Sequence, residues 1–144
     1  MDWFEFWRRW LILLGWGLAA FGLALALFNQ SAPFNVLFND HIDPVFWPAS
    51  ALPPEARAFQ RWAYGVLGAL LCGWAIFIAF LSQHAFRLRQ RWVWWCFVTG
   101  IGVWFVVDTA ISLWLRVGFN ALVNLLLFVA LAVPLLFTRR AFMR

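Results

Sequence analysis

Apolar residues do not alternate along this chain. They gather in four long runs separated by polar breaks, at about residues 10–28, 62–82, 92–115 and 117–137. A hydrocarbon core about 30 Å thick takes roughly 20 apolar residues wound as a helix, and each run is near or above that length. Open strands are excluded, because their backbone groups would find no partner in lipid. The pattern therefore predicts an all-α integral membrane protein, a four-helix transmembrane bundle, with residues 1–144 as a single four-span domain. Arg8-Arg9 before the first run and Ala24-Leu25-Ala26 near its end resemble a signal peptide. The run is longer than the usual apolar region of such a peptide, so it reads as an uncleaved first span.

The connections between the runs differ in length. The turn around Arg116 to Gly118 is so short that the last two spans must form a tight antiparallel hairpin, and the break from His84 to Arg91 is also short. Only residues 29–61 leave room for further structure. Within them Phe34, Leu37, Phe38, Ile42, Val45 and Phe46 recur at helical spacing, with Asn35, Asn39, Asp40 and Asp43 on the other side. This predicts a short amphipathic segment on the outer leaflet with a solvated polar face. Pro44 is expected to end or kink it, and Pro53-Pro54 to open the second membrane helix.

Composition strengthens the membrane reading. Hydrophobic residues make up 65% and charged residues 12%, against roughly 25% charged in soluble chains. A small soluble domain leaves too much surface wet to hide so much apolar area. The net charge of +5 comes from eleven Arg. With the N-terminus inside, Arg8, Arg9, Arg87, Arg89, Arg91, Arg139, Arg140 and Arg144 fall on the cytoplasmic side, offset by Asp2 and Glu5. Arg57, Arg61 and Arg116 fall outside. This bias predicts that both termini are cytoplasmic, in a membrane of the bacterial cytoplasmic type. Because the Arg sit in short clusters between apolar runs, the high pI reads as orientation, and no nucleic-acid partner is expected. Trp3, Trp7, Trp10, Trp92, Trp94 and Trp95 mark the inner edges of the spans. Trp47, Trp62 and Tyr64 mark the outer ones. Membrane lipids are the partners this arrangement implies.

One acid, Asp108, lies inside a span, about seven residues from its outer end and so roughly 10 Å deep. Ser112 and Arg116 follow it at steps of four on one helix face. Asn120 and Asn124 share a face of the next helix, and the short turn brings Asn124 to the depth of Asp108. Thr109, Tyr64 and Arg61 are candidates for the same level. An amide both donates to and accepts from a carboxyl group. Two roles follow for this set. It is either hydrogen-bonded glue between helices or the lining of a site for a polar headgroup, a proton or a cation. Small residues add a second expectation. Gly65, Ala69 and Gly73 form a ladder suited to close helix packing, within the chain or against another subunit or copy.

Other chemistry is thin. Asp40, His41 and Asp43 are a weak metal candidate with no fourth ligand in sight, and no metal or cofactor is expected. Asn29-Gln30-Ser31 fits a glycosylation sequon but abuts the membrane. Cys72 and Cys96 lie apart in apolar runs and read as small hydrophobes. His41 and His84 fall near opposite faces, which excludes a haem held between two histidines. No Cys-x-x-Cys, no Ser–His pair and no His-Glu-x-x-His occurs in a span. The expectation is a non-enzymatic structural or accessory membrane protein. The alternative is a small transporter, a channel, or a lipid- or quinone-binding protein centred on Asp108 and Asn124.

Overall fold

The computed structural model describes residues 3–48 and 52–143; Asp2 and Arg144, which enter the charge balance, lie outside the described residues. The chain is built of α1 (Trp3–Phe28), α2 (Ala32–Phe34), one π turn (Asn35–Asn39), α3 (Asp40–Phe46), α4 (Pro54–Gln83), a 3₁₀ turn (Phe86–Leu88), α5 (Arg91–Trp114) and α6 (Gly118–Phe142). α1, α4, α5 and α6 are long and apolar enough to cross a membrane. The fold class is therefore all-α, that of a four-helix transmembrane protein with a short helical segment in its first long connection.

The long helices run past the apolar stretches that announce them. α1 starts at Trp3 rather than near residue 10, and α6 continues to Phe142 rather than stopping near 137. Arg, Gln and Glu are good helix formers, so the winding carries on where the apolar run ends. α4 starts at Pro54, where a missing N–H removes no intrahelical bond. Pro134 does not end α6. Its missing N–H leaves the Ala130 carbonyl without an intrahelical donor, and the Trp10 indole Nε1–H donates to that carbonyl at 3.0 Å.

Two compact units are distinguished. One comprises Met1–Trp16 and Ile76–Arg144, the other Gly17–Ala75. In the first, α5 and α6 are tied at three levels. Near their turn they share the polar cluster described below. Further along, Phe105 and Phe128 stack with ring centroids 4.2 Å apart. At the far end the Trp94 indole Nε1–H donates to Leu135 O at 2.9 Å. Phe4, Phe86, Phe97 and Phe142 close that end as a buried aromatic knot. The Arg89 guanidinium lies 4.4 Å over the Phe4 ring, a cation–π contact. Gly15 lets α1 approach α4 closely there, since a Cβ on it would meet Ala79 N at 2.8 Å.

In the second unit α1 and α4 meet through Gly22 and Gly68. A Cβ on Gly68 would lie 2.4 Å from Ala26 N, and one on Gly22 would lie 2.6 Å from Cys72 N. In this unit the small residues of α4 that meet α1 are thus Gly68 and Cys72, and the Gly65, Ala69 and Gly73 ladder takes no part in that close contact. Gly65 is only loosely apposed to Ala26, Ala69 is exposed and Gly73 has no neighbour within 4 Å.

The segment from Ala32 to Phe46 corrects a second expectation. Its buried and half-buried residues are Phe34-Asn35, Phe38-Asn39 and Ile42-Asp43, while Val36, Leu37, Asp40, His41, Val45 and Phe46 are exposed. Asn35, Asn39 and Asp43 therefore face inward instead of forming a solvated face. The pattern repeats every four residues, whereas an α-helix overshoots by roughly 40° in four. The wider π turn at Asn35–Asn39 takes up that overshoot and keeps the three pairs on one side. Pro44 sits inside α3 without ending it. Asp40, one turn before, has ψ −17°, which swings its carbonyl away from the position the proline ring would strike.

A direct test of the packing compares two glycines. Gly68→Ala is expected to destabilise the purified protein by about 1–3 kcal/mol, seen as a lowered unfolding temperature in detergent. Gly73→Ala should leave that temperature unchanged.

Candidate functional site

The polar cluster is organised by the turn between α5 and α6. α5 ends at Trp114, and Arg116 adopts the left-handed conformation with φ 62°. Val117 N–H donates to Ser112 O at 2.8 Å and Arg116 N–H to Leu113 O at 3.1 Å. This pair of bonds is the Schellman closure, which satisfies orphan carbonyls at a helix end. It returns the chain at once into α6, so residues equally far from the turn sit side by side.

Five sequence-predicted residues meet there, Asp108, Thr109, Ser112, Asn120 and Asn124. Asn120 Nδ2 donates to Asp108 Oδ1 at 2.9 Å and to Ser112 Oγ at 2.8 Å. Asn124 Nδ2 donates to the same Asp108 Oδ1 at 2.9 Å and reaches Thr109 Oγ1 at 3.4 Å. Ser112 Oγ donates within its own helix, to Asp108 O at 2.7 Å with Asp108 Oδ1 at 3.2 Å. Both Asn side chains thus use their two N–H groups as a fork across the helix pair. A carboxylate oxygen can only accept, so the donor assignment is chemically forced. Asn124 is 4% and Ser112 6% exposed, whereas Asp108 is half-buried. Both amides converge on one oxygen, and Asp108 Oδ2 has no hydrogen-bond partner among the described residues.

Arg116 does not join the cluster. It was expected on the Asp108–Ser112 face, but α5 ends before it and the left-handed turn carries it off that stripe. Arg116 is exposed, whereas Arg8 forms an ion pair with Glu5 at 2.7 Å. Tyr64 and Arg61 belong to the other compact unit. Tyr64 lies beside Gln60 and Asp43, and Arg61 offers its backbone carbonyl to Asn29.

Sequence reasoning missed a second polar network, in the Gly17–Ala75 unit. Asn39 Nδ2 donates to Asn29 O at 3.1 Å and to Asn35 Oδ1 at 2.7 Å. Gln60 Nε2 donates to Asp43 Oδ1 at 2.5 Å, and Gln30 Nε2 to Gln60 Oε1 at 3.2 Å. The four-residue repeat Phe34-Asn35, Phe38-Asn39, Ile42-Asp43 was the available signal. It also separates the weak metal candidate: Asp40 and His41 are exposed, while Asp43 turns inward to Gln60. Among the described residues no group of three or more His, Cys, Asp or Glu is placed to hold a metal ion. Asn29 of the sequon is buried, with its amide donating to Arg61 O at 3.3 Å, so its nitrogen is not available for modification.

What the Asp108 cluster does physically is join two helices. Hydrogen bonds between membrane helices contribute about 0.6 kcal/mol each on average, so its cross-helix bonds together contribute roughly 2 kcal/mol. Asp108→Leu leaves the Asn120 and Asn124 amides without their acceptor and is expected to destabilise by about 2 kcal/mol or more. Asp108→Asn keeps an acceptor oxygen in place and should cost less than half as much. Thermal unfolding of the two purified variants in one detergent checks the order, and equal loss in both would contradict it.

Comparison of the chain with protein-family models, with curated proteins and with solved structures finds no match.

Proposed function

We propose that this is a small, non-enzymatic membrane protein that serves as a structural or accessory component of a membrane assembly, as an oligomer or as a subunit. The observation that carries the reading is the hydrogen bonding of Asp108. The one ionisable side chain deep inside the α5 and α6 spans is engaged, through two amide donors from α6 on one oxygen, in holding α5 to α6. A residue committed in this way supports architecture more readily than turnover. The distribution of Arg supports placement in a membrane of the bacterial cytoplasmic type with both termini on the cytoplasmic side.

A second reading rests on a different detail of the same site. Asp108 is half-buried and its Oδ2 is uncommitted among the described residues. That oxygen suits a proton, a cation or the donor group of a lipid or quinone, as a small transporter, channel or binding protein would use.

Isolation from native membranes in mild detergent, followed by native mass spectrometry, separates the two. The accessory reading expects a defined oligomer or a stoichiometric second subunit that survives in Asp108→Asn. A monomer with no partner, together with a cation or proton flux in proteoliposomes that Asp108→Asn abolishes, would favour the second reading. For the orientation, a C-terminal fusion to green fluorescent protein is expected to fluoresce, and a C-terminal alkaline phosphatase fusion to be inactive. The reverse pair would invert the topology.

A further inference from the structure

The network around Asn29 and Asn39 leaves two buried acceptors unmet. Asn29 is 3% and Asn39 4% exposed, and the side-chain oxygen of each, Oδ1, is fully buried with no hydrogen-bond partner. The identity of these atoms as oxygens is fixed by their neighbours. Exchanging O and N in Asn39 would set its oxygen against two other oxygens, Asn29 O and Asn35 Oδ1. The same exchange in Asn29 would set oxygen against Arg61 O. Gln60 Nε2 donates to Asp43 and Gln30 Nε2 to Gln60, and neither is bonded to an orphan oxygen. Pro44 has no N–H to give to the Asp40 carbonyl one turn below it. Asn39 Nδ2 donates to the Asn29 backbone carbonyl at 3.1 Å, so the two residues that carry the orphan oxygens belong to one hydrogen-bonded network. A buried acceptor left unmet is destabilising, and Asn39 closes a π turn, a feature frequent at functional sites.

We propose that Asn29 Oδ1 and Asn39 Oδ1 form part of a buried binding site for a small monovalent cation. The partner must be a cation or a donor, since both atoms only accept. It must be small, since both are enclosed. Asp43, one helical turn from Asn39 on the same inward stripe, supplies one negative charge, which favours a cation over a neutral donor. Hard cations take oxygen ligands. Neutral amide oxygens with one carboxylate nearby match a single positive charge, whereas a divalent ion usually draws on several carboxylates, and no such group is found among the described residues.

The test uses the full-length protein in detergent, with the unfolding temperature measured in sodium, potassium and choline chloride at one fixed ionic strength. Sodium or potassium is expected to raise that temperature saturably over choline, by about 4 °C at ten times the dissociation constant. Asn39→Leu should remove the difference. Should Asn39→Leu fail to fold, Asp43→Asn keeps an acceptor for Gln60 and should weaken the ion response several-fold. Identical unfolding in all three salts would overturn the site and leave the two oxygens to buried water. An ion response undiminished in a folded Asn39→Leu, or in Asp43→Asn, would place the ion elsewhere and overturn it equally.

Discussion

In hydrocarbon a polar group cannot exchange a lost partner for water, so each one inside a span has to be met by another group at the same depth. Asp108 concentrates that requirement. Its carboxylate sits two turns below the α5–α6 connection, and two Asn four residues apart on α6 carry their N–H groups to it. The match is possible because the Schellman closure at Ser112–Val117 fixes where α6 begins. A turn one residue longer would rotate both amides away from the acid. Once that register is set, the Phe105–Phe128 stack and the Trp94–Leu135 bond fall into line below it. The hairpin is thus determined from its polar end, and the apolar contacts complete it.

Elsewhere the determining quantity is distance between backbones rather than hydrogen bonding. Gly15, Gly22 and Gly68 each stand where a methyl group would strike the neighbouring helix. Between apolar helices in lipid there is little hydrophobic gain from association, so close approach and the dispersion it brings carry more of the stability. The Ala32–Phe46 segment combines both devices, with Phe34 and Phe38 against Phe21 of α1 and Asn39 and Asp43 bonded to Asn29 and Gln60.

Much of this is legible before folding. Apolar runs locate the spans because hydropathy is what lipid selects, and the short turn makes the Asp108–Asn124 encounter a matter of counting. The helix ends are not legible, since Glu5, Arg8, Arg139 and Arg140 wind as readily as Leu. Arg116 was misassigned because its place on the Asp108 stripe presumes a helix that the left-handed turn has already ended. Two small-residue rows exist on α4, and periodicity alone does not tell which one α1 will face. The polar stripe of residues 35–43 is ambiguous for a similar reason. A four-residue repeat defines a face, but whether water or Gln60 and Asn29 meet it depends on residues 10 and 17 positions away along the chain.

The bond from Trp10 to the Ala130 carbonyl ties together two residues that nothing in their local sequence relates. Pro134 opens a lone pair on one side of α6, and the indole of α1 reaches it at a single azimuth. That one acceptor therefore acts as a key for the spin of α1 about its own axis, which uniform apolar packing would leave nearly free. Trp10 and Pro134 thus behave as one mechanical element shared between two helices, and the identity of either residue has meaning only in the presence of the other.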